Sequence, residues 1–197
     1  MYPPLVQTVF CRDMTERQAL AAGRLLAKVW PKPEKGPRER AAQVLQRGRD
    51  YEGPDERGPR SLIIYEGDRL DGERVTAHAL VFPRLVRFTG VGEQEVLGLS
   101  LVAADPDCRG QGLGAAVVRA AFDLVDEGFC RFAYFQTSNE VLPFYQRMGA
   151  VRAENRVFNS LSDIDPTADP FWDEARVRYP KGDAWPTGEI DLLGPGY

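Results

Sequence analysis

The chain has 197 residues, 43% of them apolar and 27% charged, a length that suits one domain and buries roughly 70% of its unfolded surface without disulfides or metals. A net charge of −4, from 29 acidic and 25 basic residues, argues against a general nucleic-acid binder, and no apolar run approaches the ~18 residues of a membrane span. The opening Met1-Tyr2-Pro3-Pro4 lacks a secretory signal's basic cap and apolar stretch, and Cys11, Cys108 and Cys130 form neither a disulfide framework nor a metal spacing, which suits a cytoplasmic protein.

Residues 15–30 read as a helix, with Leu20, Leu25, Leu26 and Val29 near helical spacing, Thr15 or Asp13 as cap and Pro31 as terminator. A second helix is expected over 38–49, and the polar, Gly- and Pro-bearing 52–59 reads as a loop. Strands are expected over 61–65, 75–82 (with 86–89 continuing it past Pro83) and 96–104, with turn chemistry over 67–72 and 90–94. The order then runs helix 112–127, strand 129–136, helix 139–148 and strand 151–159. Helix-flanked strands after a hairpin-rich first half predict an α/β chain with a mixed sheet and helices on both faces. Residues 160–197, rich in Pro, Gly and aromatics, read as an extended arm.

The most informative segment is Asp105-Pro-Asp-Cys-Arg109-Gly110-Gln111-Gly112-Leu113-Gly114-Ala115. It follows an apolar strand and opens a helix whose apolar stripe is expected to be Leu113, Val117, Ala120, Leu124 and Val125. The first amides of a helix lack internal partners and carry partial positive charge. Glycines there admit an anionic group, and Arg109 adds a full charge. This pattern suits a phosphate or pyrophosphate. A nucleotide-triphosphate loop needs Gly-Lys-Ser/Thr, yet no lysine lies between Lys35 and Lys181. A dinucleotide fingerprint needs an acidic residue about 20 positions on, and 132–136 has none. Arg-x-x-Gly-x-Gly is satisfied directly by Arg109, Gly112 and Gly114.

With that loop, the chain resembles the GNAT superfamily of acetyl-CoA-dependent N-acetyltransferases. Phe144-Tyr145-Gln-Arg-Met-Gly149, preceded by Asn139, resembles the family's second motif, and the likeness runs over about 75–158. The resemblance implies a GNAT fold, α/β (α+β), with a mixed, mostly antiparallel central sheet flanked by helices and a carboxy-terminal arm. It implies a domain over 1–160 and an extension over 161–197 packed on it. It also implies that the backbone of Val102, Ala103 and Ala104 pairs with the pantetheine arm of acetyl-CoA. Amides from Gly110, Gln111, Gly112, Leu113, Gly114 and Ala115, beside Arg109, would hold the pyrophosphate. Asn139 would contact the cofactor from the next helix, and Tyr145 would be the catalytic residue near the thioester sulfur.

Other residues carry two readings. His78, the only histidine, is a structural histidine before it is a base. The family's usual strand glutamate falls at Gly98, so the base is left to His78, Glu95 or water relayed past Ser100. Cys108 has no neighbouring base and reads as inert. Trp172 and Trp185 read as cover for a core edge in preference to an acceptor pocket. The expected reaction is acetyl transfer to a primary amine of a small molecule or peptide, without metal, nucleic acid or membrane, by a monomer or homodimer. The rival is a catalytically silent CoA-ester sensor, and a longer acyl chain is a further variant.

Overall fold

Thr15 starts the first helix with a reciprocal cap: its Oγ1 accepts from Gln18 N at 3.2 Å, and its own N donates to Gln18 Oε1 at 2.9 Å. The computed structural model describes residues 4–68, 73–182 and 184–197. They form two compact units, one of residues 1–82 and 99–123 and one of 83–98 and 124–197.

In the first unit, α1 (Glu16–Val29) buries Ala19, Ala22, Leu25 and Leu26. It packs on α2 (Pro37–Arg49), which begins with proline, where no helical amide partner is lost. The approach depends on Gly23, because a Cβ there would stand 2.2 Å from Pro37 O. Strand β1 (Gln7–Phe10) pairs antiparallel with β2 (Arg60–Tyr65), and β2 with β3 (Val75–Phe88). Next to β3 lies β4 (Gly92–Ala104). Ile63 stands opposite His78, which places Ser61 diagonally across from His78 on the same face. Helix α3 (Leu113–Asp126) follows the glycine loop. Its buried stripe is Leu113, Val117, Val118, Ala121, Phe122 and Val125. The expected Ala120 and Leu124 are only half-buried, because the stripe turns one residue further round the helix.

In the second unit, β4 pairs parallel with β5 (Ala133–Thr137) at Leu97 and Gly98. Helix α4 is Leu142–Gln146. Then come β6 (Val151–Arg152), β7 (Val157–Phe158), β8 (Ala175–Tyr179) and β9 (Ile190–Asp191). Strand β8 runs antiparallel to both β5 and β6, and β9 joins β3 to β7. The result is a mixed, mostly antiparallel sheet with flanking helices.

Several boundaries differ from the sequence reading for identifiable reasons. Strand β3 runs unbroken through Pro83, because pairing with β2 ends at Val81 and pairing with β9 starts at Arg87. The proline therefore falls in the gap between those two ladders. The strand expected over 151–159 is two short strands. Asn155 pulls the chain aside, donating to Pro186 O and Gly188 O and accepting from Trp185 Nε1. The helix expected over 139–148 shrinks to five residues, with Pro143 in its first turn and Gly149 at φ 91° beyond its end. Residues 160–197 contribute β8, whose inward positions Ala175, Val177 and Tyr179 alternate with outward arginines. The turn expected over 67–72 falls partly on 69–72, outside the described residues.

Trp185 is core: its ring centroid lies 5.0 to 5.5 Å from those of Phe132, Phe88 and Tyr134. Trp172 does not cover a core edge and is 71% exposed. Gln136 Oε1 accepts from both Trp172 N and Asp173 N, so the backbone is anchored while Phe171 takes the inward place. Among the described residues, no helix is long and apolar enough to cross a membrane, and no cluster of His, Cys, Asp and Glu suits a metal ion.

Candidate functional site

The second half of β4 leads into the glycine loop. Leu101 has φ 49°, a left-handed conformation that residues with a Cβ seldom adopt. Its carbonyl accepts from His78 Nδ1 at 3.0 Å. Beyond it Val102 is half-buried, Ala103 is buried and Ala104 is exposed.

Asp105 fixes the root of the loop. Its amide donates to Thr76 O at 2.8 Å, and its carboxylate accepts from Lys28 Nζ at 2.5 Å and Arg74 Nη2 at 2.8 Å. Oδ1 also accepts from Asp107 N, which shapes the short turn Pro106–Cys108. Burial alone would raise this carboxyl's pKa. The Lys28 and Arg74 bonds, with the Asp107 amide, outweigh it and bring the value down to about 2. Lys28 sits in the last turn of α1 and Arg74 just before β3, so one buried carboxylate ties two elements to the loop. Neither cation carries a motif, and the register of α1 against β4 cannot be read along one chain.

The loop itself is exposed from Arg109 to Gly112. Gly110 and Gly112 have φ 80° and 73°, so glycine is required by the turn as well as by access. Gly112 O accepts the first helical bond, from Ala116 N, which leaves the amides of Leu113, Gly114 and Ala115 without helical partners. The Arg109 guanidinium has no partner among the described residues. Chemically, this is an open, positively polarised cradle for an anion. Cys108 is a free, half-buried thiol beside it.

The other expected site residues lie in the second unit. Asn139 is in the turn before α4, not on the helix, because that helix starts only at Leu142. Its amide donates to Glu174 Oε2 at 3.1 Å, and its Oδ1 already accepts from Arg152. Tyr145 is on α4 and buried, its ring edge-on to Phe135 and Phe144 at 4.8 and 5.0 Å. No hydrogen bond to its hydroxyl is made among the described residues. Burial, with the nearby Asp173 charge, pushes the phenol's pKa up. Glu95 is exposed near the start of β4 and accepts from the Cys130 thiol at 3.7 Å. His78 is fully buried, and burial pulls its pKa down to about 4, so the imidazole is neutral at pH 7.

A β4 strand with a left-handed residue, followed by a glycine loop that opens a helix, places the chain among mixed-sheet α/β proteins with an anion-accepting helix start. The profile of the Acetyltransferase (GNAT) family matches residues 24–150, and the chain belongs to that family. Its fold is shared with an acetyltransferase from Trypanosoma brucei, at 23% identity over 77% of this chain and 96% of that one, with a TM-score of 0.55. A GNAT family acetyltransferase from Brucella melitensis, in complex with acetyl-CoA, is 15% identical over 96% of both chains, also at 0.55. Glucosamine-6-phosphate N-acetyltransferase from Arabidopsis thaliana is 17% identical over 82% of this chain and 99% of that one, at 0.54. No curated protein matches the sequence.

Proposed function

We propose that the protein transfers an acetyl group from acetyl-CoA to a primary amine of a small molecule or peptide by direct attack. The observation that carries this reading is the cradle at the start of α3, with Gly110 and Gly112 at positive φ and Arg109 exposed beside them. It fits a pyrophosphate in charge and in access. The backbone of Val102–Ala104 is the edge to which a pantetheine amide chain would add. When bound, acetyl-CoA supplies a thioester whose carbonyl carbon the neutral amine attacks, the carbon–sulfur bond then breaking to release CoA thiolate.

The residues have limited means of moving protons. Both ring nitrogens of His78 are engaged inside the unit, so it is no base for an incoming amine. Water relayed past Ser100 takes the amine's proton in this reading. Tyr145, its pKa raised by burial, donates a hydrogen bond to the departing sulfur and keeps its proton.

The test is a melting experiment with acetyl-CoA, NAD and ATP, followed by thiol release with a panel of amines. Acetyl-CoA at ~100 times its Kd adds roughly 2.7 kcal/mol. Equal shifts with ATP would sink the reading. The locked His78 also favours a second one, a CoA-ester sensor that binds but does not turn over. Binding without thiol release for any amine selects the sensor.

A further inference from the structure

The mechanism leaves the single histidine without a chemical task, yet the structure invests a chain of buried polar groups in it. Cys11, Ser61 and His78 are all buried, at 1%, 0% and 0% exposure. Cys11 Sγ lies 3.8 Å from Ser61 Oγ, Ser61 Oγ lies 3.1 Å from His78 Nε2, and His78 Nδ1 lies 3.0 Å from Leu101 O. The protons along this chain follow from its far end. A carbonyl oxygen only accepts, so Nδ1 carries the imidazole proton. Nε2 is then an acceptor, Ser61 donates to it, and the Ser61 oxygen accepts from the Cys11 thiol. Burial pushes that thiol up to about 11, which keeps it a donor. Every group has one role, and the chain runs in one direction.

Its end point is the informative part. Among the described residues only Leu101 and Leu193 are non-glycines at positive φ. Such a conformation persists where its surroundings over-determine it. Leu101 is the residue immediately before Val102–Ala104, so the angle at which it turns the strand sets where the next amides and carbonyls point. We infer that His78 is a positioning residue: oriented by Ser61, it clamps the Leu101 carbonyl and thereby holds the cofactor-pairing edge of β4 in its bound-ready geometry. This rests on the acetyl-CoA reading above for its ligand, but not for its geometry.

The experiment has an arm that needs no cofactor. The 197-residue chain contains one histidine, so a long-range proton–nitrogen correlation spectrum of 15N-labelled protein shows one imidazole. The clamp requires a protonated Nδ1 and a bare Nε2, unchanged between about pH 8 and about pH 6. A protonated Nε2, or an imidazolium at about pH 6, overturns it.

The second arm compares His78→Leu with His78→Asn, whose amide keeps a donor near the Nδ1 position. In His78→Leu, the Val102–Ala104 amides exchange about tenfold faster and the Kd for acetyl-CoA rises about tenfold, as expected for one lost buried hydrogen bond. At saturating acetyl-CoA, kcat stays within about threefold. His78→Asn recovers most of both effects. Unchanged exchange and Kd in His78→Leu, or a collapse of kcat at unchanged Kd, overturns the clamp. Wild-type protein that fails to bind acetyl-CoA counts against the functional reading alone, and the nitrogen shifts and amide exchange then decide the clamp.

Discussion

Replacing Asp105 with asparagine removes one charge and keeps the shape, which makes it a sharp probe of the loop root. The carboxylate is 3% exposed and bound to both Lys28 and Arg74. Its pKa falls from 3.8 to about 2, and a shift of this size is worth about 2 kcal/mol of stability. A group whose pKa is lower in the folded state contributes fully above its unfolded value. Its share is present above pH 3.8 and is lost as pH falls through about 2. Urea unfolding of wild type and Asp105→Asn should therefore differ by about 2 kcal/mol at neutral pH, with equal slopes. A melting shift of roughly 4–8 °C corresponds to this for a chain of such length. The gap should stay constant across neutral and mildly acidic pH and narrow only below about pH 4. A gap under about 0.5 kcal/mol at neutral pH, or one that widens with acid, would refute the ion-pair argument, since surface pairs give values that small.

Three further outcomes are expected. His78, with a folded pKa of about 4 against 6.5 unfolded, contributes stability that is complete above pH 6.5 and lost as pH falls towards 4. The margin of wild type over His78→Gln in urea should shrink by about 2 kcal/mol between about pH 7.5 and about pH 5, and a margin flat across that window would mean that the histidine titrates normally. Tyr145→Phe keeps the contacts with Phe135 and Phe144, so acetyl-CoA affinity should hold while kcat falls by up to ~10²-fold, and full kcat would make the residue structural. Gly112→Val forces a β-branched residue to φ 73° at an exposed turn, costing about 1–2 kcal/mol and abolishing acetyl-CoA binding by calorimetry; normal binding would leave the glycine serving the turn alone.

What could be read along the chain was whatever is local in cause. The cap at Thr15, the proline stops and the glycine loop before α3 depend on neighbours within a few residues, and they stand where periodicity and turn chemistry put them. The strand β8 also had a local signal, the alternation Ala175-Arg-Val-Arg-Tyr179, which the surrounding prolines and glycines obscured. Other features are settled across the sheet. Strand β3 continues through Pro83 between the end of its β2 pairing and the start of its β9 pairing, and Asn155 splits a strand by reaching for a segment about 30 residues away. The same holds for chemistry. The glycine loop and helix start were legible because they need no distant partner. The Lys28–Asp105–Arg74 cluster and the Cys11–Ser61–His78 chain join residues 17 to 77 positions apart. No spacing rule connects them.

The two units share their strands in a way that constrains how the gene can be cut. The backbone passes from one to the other at 82/83, at 98/99 and at 123/124. Two of these points lie inside β3 and β4, and the third inside α3. A single truncation therefore releases neither unit, and a transposed fragment would carry half-strands with unsatisfied amides. A circular permutant must likewise open the chain elsewhere, in a loop. For recombination, the two units are one indivisible cassette, inherited whole or lost.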